Sequence, residues 1–262
     1  MPNSKTFLQA ILAAFCAILC ALSGMGGGGM MIGARTAAWA VDGKKVPTAA
    51  DYQGELIALW DGIENVADGQ HDGSSPEWID LIGGRRATLT AHGSWAADAL
   101  VCDGVGFAAS DGLPFARSDV GCVEVVADCT GDGLICYIAG RDGLSGGGDI
   151  FVWKIGDTLQ VNSAEGASYG FTNRVSCDSS VFSASIVYDA RNPTSAIING
   201  VGLTPYYQFG QTSTGHVEFG GRSSFSDIPF AGKIKSVRVF SSITDAQRAA
   251  NYAIDKARFG LP

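Results

Sequence analysis

From Glu55 onward the chain is a succession of short β-branched or aromatic runs, each cut off by Gly, Asp, Asn or Ser, with no helical pattern until its end. That punctuation confines it to short strands joined by tight turns, an all-β fold. A two-residue hairpin turn needs positive φ, which Asp-Gly and Asn-Gly supply at little cost. On this basis Asp132-Gly133 is expected to join 121–129 to 134–140, Gly156-Asp157 to join 150–155 to 158–161, and Asn199-Gly200 to join 195–198 to 201–203.

Residues 181–188 and 233–240 read as core strands. In the second, Ile234, Val237 and Val239 fall out of strict alternation, and a bulge near Lys235-Ser236 would restore the phase. After Thr244 the period changes. Ala246, Ala249, Ala250, Ala253 and Ala257 share one helical face, with Ile254 beside it, which predicts a terminal helix whose alanine stripe packs on the sandwich. Thr244 and Gln247 form a capping box, Asp245 suits the positive helix start, Lys256 and Arg258 suit its negative end, and Gly260 stops it.

With 262 residues, 46% of them hydrophobic, the chain has enough apolar side chains for a full core, which excludes disorder and a disulfide-only miniprotein. Its 18 basic residues face 26 acidic ones. The adjacent basic pairs Lys44-Lys45 and Arg85-Arg86 make no phosphate-tracking surface, so nucleic acid is not an expected partner.

Lys5 followed by the uncharged run Phe7 to Leu22 is the pattern of a secretory signal, about 24 Å long as a helix against a bilayer core of roughly 30 Å. Residues 1–23 are therefore expected to be a signal peptide cut after Ala21-Leu22-Ser23, or a signal anchor, since Gly24 to Ala34 extends the uncharged stretch. Either route exports the domain, secreted or at the cell surface, with membrane contact only through an uncleaved N-terminus. Residues 24–54 read as a Gly-rich segment and linker, polar and turn-rich from Val41 to Gly54, and 55–262 as the domain. Five cysteines fall in the domain: Cys102, Cys122, Cys129, Cys136 and Cys177. An odd number cannot all pair, so they form up to two disulfides or pack as buried thiols.

The order of these pieces resembles the laminin-G-like branch of the concanavalin A-like superfamily. Phe230-Ala231-Gly232-Lys233-Ile234, then Val237-Arg238-Val239-Phe240, then Thr244 and Asn251-Tyr252, is similar to that family's last strand and trailing helix. Leu100-Val101-Cys102-Asp103-Gly104, Ile197-Ile198-Asn199-Gly200, Leu59-Trp60-Asp61 and Trp78-Ile79-Asp80-Leu81 match its earlier landmarks in order. The resemblance implies a two-sheet antiparallel jelly-roll sandwich with a short C-terminal helix, whose loops bind glycans or protein partners, sometimes with calcium. It does not imply one activity, because the fold also hosts polysaccharide hydrolases.

Glucan hydrolases of this fold carry Glu-x-Asp-x-Glu or Glu-x-Asp-x-x-Glu on one strand, and none of the six glutamates here is followed two positions later by aspartate. Glu124 and Asp128 share a strand face but sit about 13 Å apart at ~3.3 Å per residue, beyond the roughly 5–9.5 Å of glycosidase carboxyl pairs. No catalytic residue is assigned. Gly143-Leu144-Ser145-Gly146-Gly147 fits a nucleophile elbow in letters only, with no helix to follow it. His71, His92 and His216 lack zinc spacing. Asp61, Glu64, Asp68 and Asp72 are the candidate calcium ligands, with a solvated acidic loop as the competing explanation.

Sugar recognition needs an aromatic face together with carboxylates, amides or guanidiniums for the hydroxyls. Tyr169, Tyr206, Tyr207, Arg222 and Asp227 are the candidate ligand-binding residues, whereas Trp153, on a strand, is expected in the core. The functional expectation is an exported, non-catalytic recognition module for carbohydrate or glycoprotein. The alternative is a self-assembling structural component of a surface appendage, envelope or virion fibre, and polysaccharide hydrolysis ranks third.

Overall fold

The computed structural model describes residues 47–67, 69–105, 108–110, 121–138, 149–156, 158–165, 168–176, 181–189, 192–203, 217–221 and 229–261. After a 3-10 turn at Ala49–Asp51 come β1 (Glu55–Asp61), β2 (Glu77–Ile79), β3 (Arg86–Leu89), β4 (Gly93–Ala96), β5 (Ala99–Asp103), β6 (Ala108–Ser110), β7 (Gly121–Cys129) and β8 (Gly133–Ile138). They are followed by β9 (Asp149–Ile155), β10 (Thr158–Glu165), β11 (Ser168–Ser176), β12 (Val181–Asp189), β13 (Asn192–Ile198), β14 (Val201–Leu203), β15 (Val217–Phe219), β16 (Ala231–Ser242) and the helix α1 (Asp245–Phe259).

The strands form two antiparallel sheets. The first runs β14-β13-β12-β7-β16-β5-β4, with β1 paired to β16, and the second runs β11-β10-β9-β8-β15-β6-β3-β2. Alternation turns Val123, Val125 and Ala127 of β7, with Val237 and Val239 of β16, toward Cys136, Val152, Val217 and Phe219 of the facing sheet. Trp60, Trp78 and Phe219 close one end of this core, with ring centroids 5.1 Å apart for Trp60–Phe219 and 5.0 Å for Trp78–Phe219. Each such side chain contributes roughly 1.5–3 kcal/mol by leaving water. This is the all-β sandwich that the turn pattern requires.

Two of the three expected hairpins form. β9 pairs with β10 across Gly156, and β13 pairs with β14 across Asn199 and Gly200, at φ 49° and 79°. The bulge on β16 falls between Ile234 and Ser236 and restores the inward phase of Val237 and Val239. Asp132-Gly133 behaves differently. β7 and β8 belong to opposite sheets, so this turn carries the chain from one layer to the other. Gly133 sits at φ 134°, and a Cβ there would come within 2.3 Å of the Pro229 carbonyl oxygen. The glycine serves close backbone approach, a need that Asp-Gly does not distinguish from a hairpin.

Two further expectations are corrected. The stretch read as linker up to Gly54 is docked over 47–54: Asp51 accepts the Thr48 amide at 2.7 Å, Glu64 accepts the Ala49 amide at 2.8 Å, and Ala49 and Tyr52 are buried. The helix is capped as expected, by Thr244 with Gln247 and by Gly260 at φ 67°. Its alanine stripe nevertheless faces out, with Ala246, Ala249, Ala253 and Ala257 exposed and Ala250 half-buried. Arg248, Asn251, Asp255 and Phe259 point inward instead, because the strand face beneath them carries charge.

Cys102, Cys122 and Cys136 are buried free thiols, pushed up to about 12 by burial. They act as small core residues and are poor nucleophiles. Cys177, the N-terminal segment 1–46 and the loop from Gly143 to Gly147 lie outside the described residues.

Replacing Gly133 by alanine is expected to cost ~1–3 kcal/mol through overpacking and to lower the thermal midpoint by about 5 °C. A calorimetric scan checks this, and Gly156→Ala, with open space around its Cβ position, is expected to cost less.

Candidate functional site

The outer face of the first sheet carries a lone acid in an apolar strand, Glu124 in Cys-Val-Glu-Val-Val, and a lone base, Arg238 in Val-Arg-Val. Pleating sends both away from the core, where water would normally solvate them. Here α1 lies over them. Arg238 donates through Nη1 and Nη2 to the two oxygens of Asp255, both at 2.6 Å, and through Nε to Glu124 at 3.0 Å, all of it fully buried. The Tyr52 ring stacks on this guanidinium at 3.9 Å, and its hydroxyl donates to Asp255 at 2.8 Å.

Neighbours extend the network in both directions. Asn251 donates to Glu124 at 3.2 Å and exchanges two hydrogen bonds with the Gln53 backbone. Ser183 and Ser185 of β12 donate to Asp255 and Glu124. At the helix end Arg258 grips Asp61 bidentately, at 2.7 and 2.9 Å, and reaches Glu64 at 3.3 Å. Burial pulls the Arg238 guanidinium down, but Asp255, Tyr52 and Glu124 outweigh it and hold it well above its ordinary value. Burial pushes the Glu124 carboxyl up, opposed by Arg238. It pushes the Tyr52 hydroxyl up as well.

Beside the network a cavity of about 250 Å³ opens between α1 and the β12–β13 face, lined by Glu124, Ser183, Ser185, Ile197, Gly200, Arg248, Ala249 and Tyr252. Arg248 is spent on the fold: its Nε donates to the Ser185 hydroxyl, Nη2 to the Ser185 carbonyl, and Nη1 to Ser195 and Asp245.

The second sheet is built differently on its outer side. Val152 is in the core, so Trp153, next along β9, lies on the opposite face, and it is half-buried rather than the core residue its strand suggested. Glu218 lies between the core residues Val217 and Phe219 and is buried on the same outer side. The register row through Glu218 continues to Tyr137, Phe151 and Asn162, and the row through Trp153 to Gln160.

The residues expected from sequence divide sharply. Tyr206, Tyr207, Arg222, Asp227 and Asp68 lie outside the described residues, and of Tyr169 the structure describes the backbone, in β11. Asp61 and Glu64 are occupied with Arg258, while Asp72, exposed, caps Ser74 through its amide and hydroxyl, bonds that lower its carboxyl. Among the described residues no group of three or more His, Cys, Asp or Glu side chains is placed to hold a metal ion. Arg238, Arg248 and Asp255 were missed. Their signal was a charge at an outward position of an apolar strand, matched by polar residues at i, i+3 and i+7 of the helix.

No family model matches the sequence, and no curated protein matches it. Solved structures do. Trypanosoma rangeli sialidase, in complex with sialic acid, aligns with a TM-score of 0.54 at 15% identity, over 82% of this chain and 34% of its own. Domain 4 of AbnA, a GH43 extracellular arabinanase from Geobacillus stearothermophilus, in complex with arabinotriose, gives 0.57 at 13% identity, over 79% of this chain and 99% of that domain. The binding domain of botulinum neurotoxin serotype D/C gives 0.53 at 11%, over 78% and 53%. The chain spans about a third of the sialidase and about half of the neurotoxin fragment. At these identities the likeness is one of fold, a β-sandwich.

Asp255→Asn breaks the bidentate pair and strands a buried guanidinium, for an expected cost of ~3–5 kcal/mol and a fall of about 10 °C in the thermal midpoint. Glu124→Gln is expected to cost less. A carboxyl raised in the fold favours folding while protonated and loses that support as pH rises above the ordinary carboxylate range. The deficit of Glu124→Gln should therefore shrink with rising pH, measured by urea unfolding across the pH range.

Proposed function

We propose that the chain is an exported, non-catalytic carbohydrate-recognition module, a concanavalin A-like sandwich of laminin-G type, and that it meets its glycan on the outer side of the second sheet. The observation that carries the reading is Trp153, half-exposed on the sheet face that the helix leaves uncovered. A sandwich has two outer faces, and the ion network seals α1 over one of them. The other offers, in Trp153, an aromatic ring for the apolar side of a sugar.

The ligand class draws support from the fold neighbours, since the arabinanase domain holds arabinotriose and the sialidase holds sialic acid. The non-catalytic reading is supported by the work Glu124 already does. Held by Arg238, Asn251 and Ser185, it has no second carboxyl at glycosidase spacing along its strand.

A glycan array probed with purified protein, with and without calcium, is expected to show a restricted set of bound oligosaccharides. Trp153→Ala should weaken the best of them about tenfold or more, ~1.4 kcal/mol, with an unchanged circular dichroism spectrum. A blank array from folded protein, or binding indifferent to Trp153, would reject the assignment.

A further inference from the structure

The cavity beside α1 is independent of that glycan face, and its chemistry is one-sided. Every nitrogen of Arg248 donates to groups of the fold. The Ser183 hydroxyl donates to Asp255 and the Ser185 hydroxyl to Glu124. The floor also has lone pairs left: Glu124 Oε1 accepts one hydrogen bond among the described residues, from Ser185 at 3.0 Å, and a carboxylate oxygen takes two. The Ser183 hydroxyl keeps its acceptor capacity as well.

Charge points the same way. Four buried carboxylates, Asp61, Glu64, Glu124 and Asp255, meet two guanidiniums, Arg238 and Arg258, whose side chains are about 1% exposed, while Arg248 pairs with the exposed Asp245. Arg258 serves Asp61 and Glu64 while Arg238 serves both Asp255 and Glu124, so each cation is shared between two carboxylates, and Glu124 is the one of the four that lines the cavity. Burial raising the Glu124 carboxyl agrees with this placement. The walls are a different material: Ile197, Ala249 and the Tyr252 ring, with Gly200 at the rim. At ~30 Å³ for each water-sized group, about 250 Å³ holds roughly eight.

We infer that this cavity binds a small primary alkylammonium ion, with the ammonium donating to Glu124 Oε1 and the Ser183 hydroxyl and the alkyl chain against Ile197, Ala249 and Tyr252. A neutral polyol would bring no positive charge to Glu124. An anion is repelled. An inorganic cation would fill the charge deficit but leave the apolar walls unused.

The test titrates propylammonium chloride into the purified full-length protein at constant ionic strength, balanced with sodium chloride, by calorimetry and thermal melting. Saturable binding with a raised thermal midpoint is expected, and neither propanol nor sodium propionate should reproduce it. Glu124→Gln should weaken binding at least tenfold. Ala249→Leu, exposed at the rim of the cavity, should obstruct its opening and weaken binding without altering the fold. No saturable binding to the wild-type protein overturns the inference, as does binding that both variants retain at full strength.

Discussion

The bidentate ion pair between Arg238 and Asp255 sets the terms for the rest of the molecule. A guanidinium in the middle of the longest strand, fully removed from water, is tolerable only if its donors are met, and Asp255 and Glu124 meet all three nitrogens. That requirement dictates the helix. An alanine face, however well spaced, would bring no acceptors, and it is the face left to solvent. The same requirement draws in residues 47–53, because Tyr52 covers the open side of the guanidinium and Gln53 engages Asn251.

From this follows the inequality of the two sheets. The first is closed by α1, whose Asp255 and Asn251 engage its outward charges Arg238 and Glu124. The second keeps Trp153 half-exposed on its outer side, next to the buried Leu134. The proposed glycan face is therefore the second, while the first carries the tether of the C-terminal helix. The cavity lies where the closing is incomplete, between the helix and the Asn199-Gly200 hairpin, where an added Cβ on Gly200 would come 3.0 Å from the Tyr252 ring.

Much of the fold was legible because its signals are local. Turn chemistry placed the β9–β10 and β13–β14 hairpins, broken alternation placed the β16 bulge, and the capping box bounded α1 to the residue. What failed was non-local. Whether Asp132-Gly133 reverses the chain within one sheet or carries it between sheets depends on Pro229 and Phe230, far along the chain. Which face of α1 turns inward depends on Glu124 and Arg238, and apolar periodicity assumes an apolar partner surface. The site was less legible still. Trp153 looked like core because aromatic strand residues usually are, and only the packing of its neighbour Val152 into the core places it on the other face. Asp61 and Glu64 looked like an acidic loop until Arg258 arrived from the opposite end of the chain.

Why the helix is fastened by ions rather than by a thicker apolar seam has a geometric answer. An apolar face on a flat sheet is degenerate, since sliding by a residue or a turn preserves most of the buried area. A guanidinium clamped on both oxygens of one carboxylate is not degenerate, and a slip of one turn, about 5.4 Å, would take Asp255 from Arg238 and Arg258 from Asp61. Two such clamps near the C-terminal half of one helix, Arg238–Asp255 and Arg258–Asp61, fix its position along the sheet and its rotation together. The energy gained over well-packed hydrophobic residues is small or negative. What the clamps secure is one placement of α1, and with it the shape of the cavity that Ala249 and Tyr252 wall on the side facing β13.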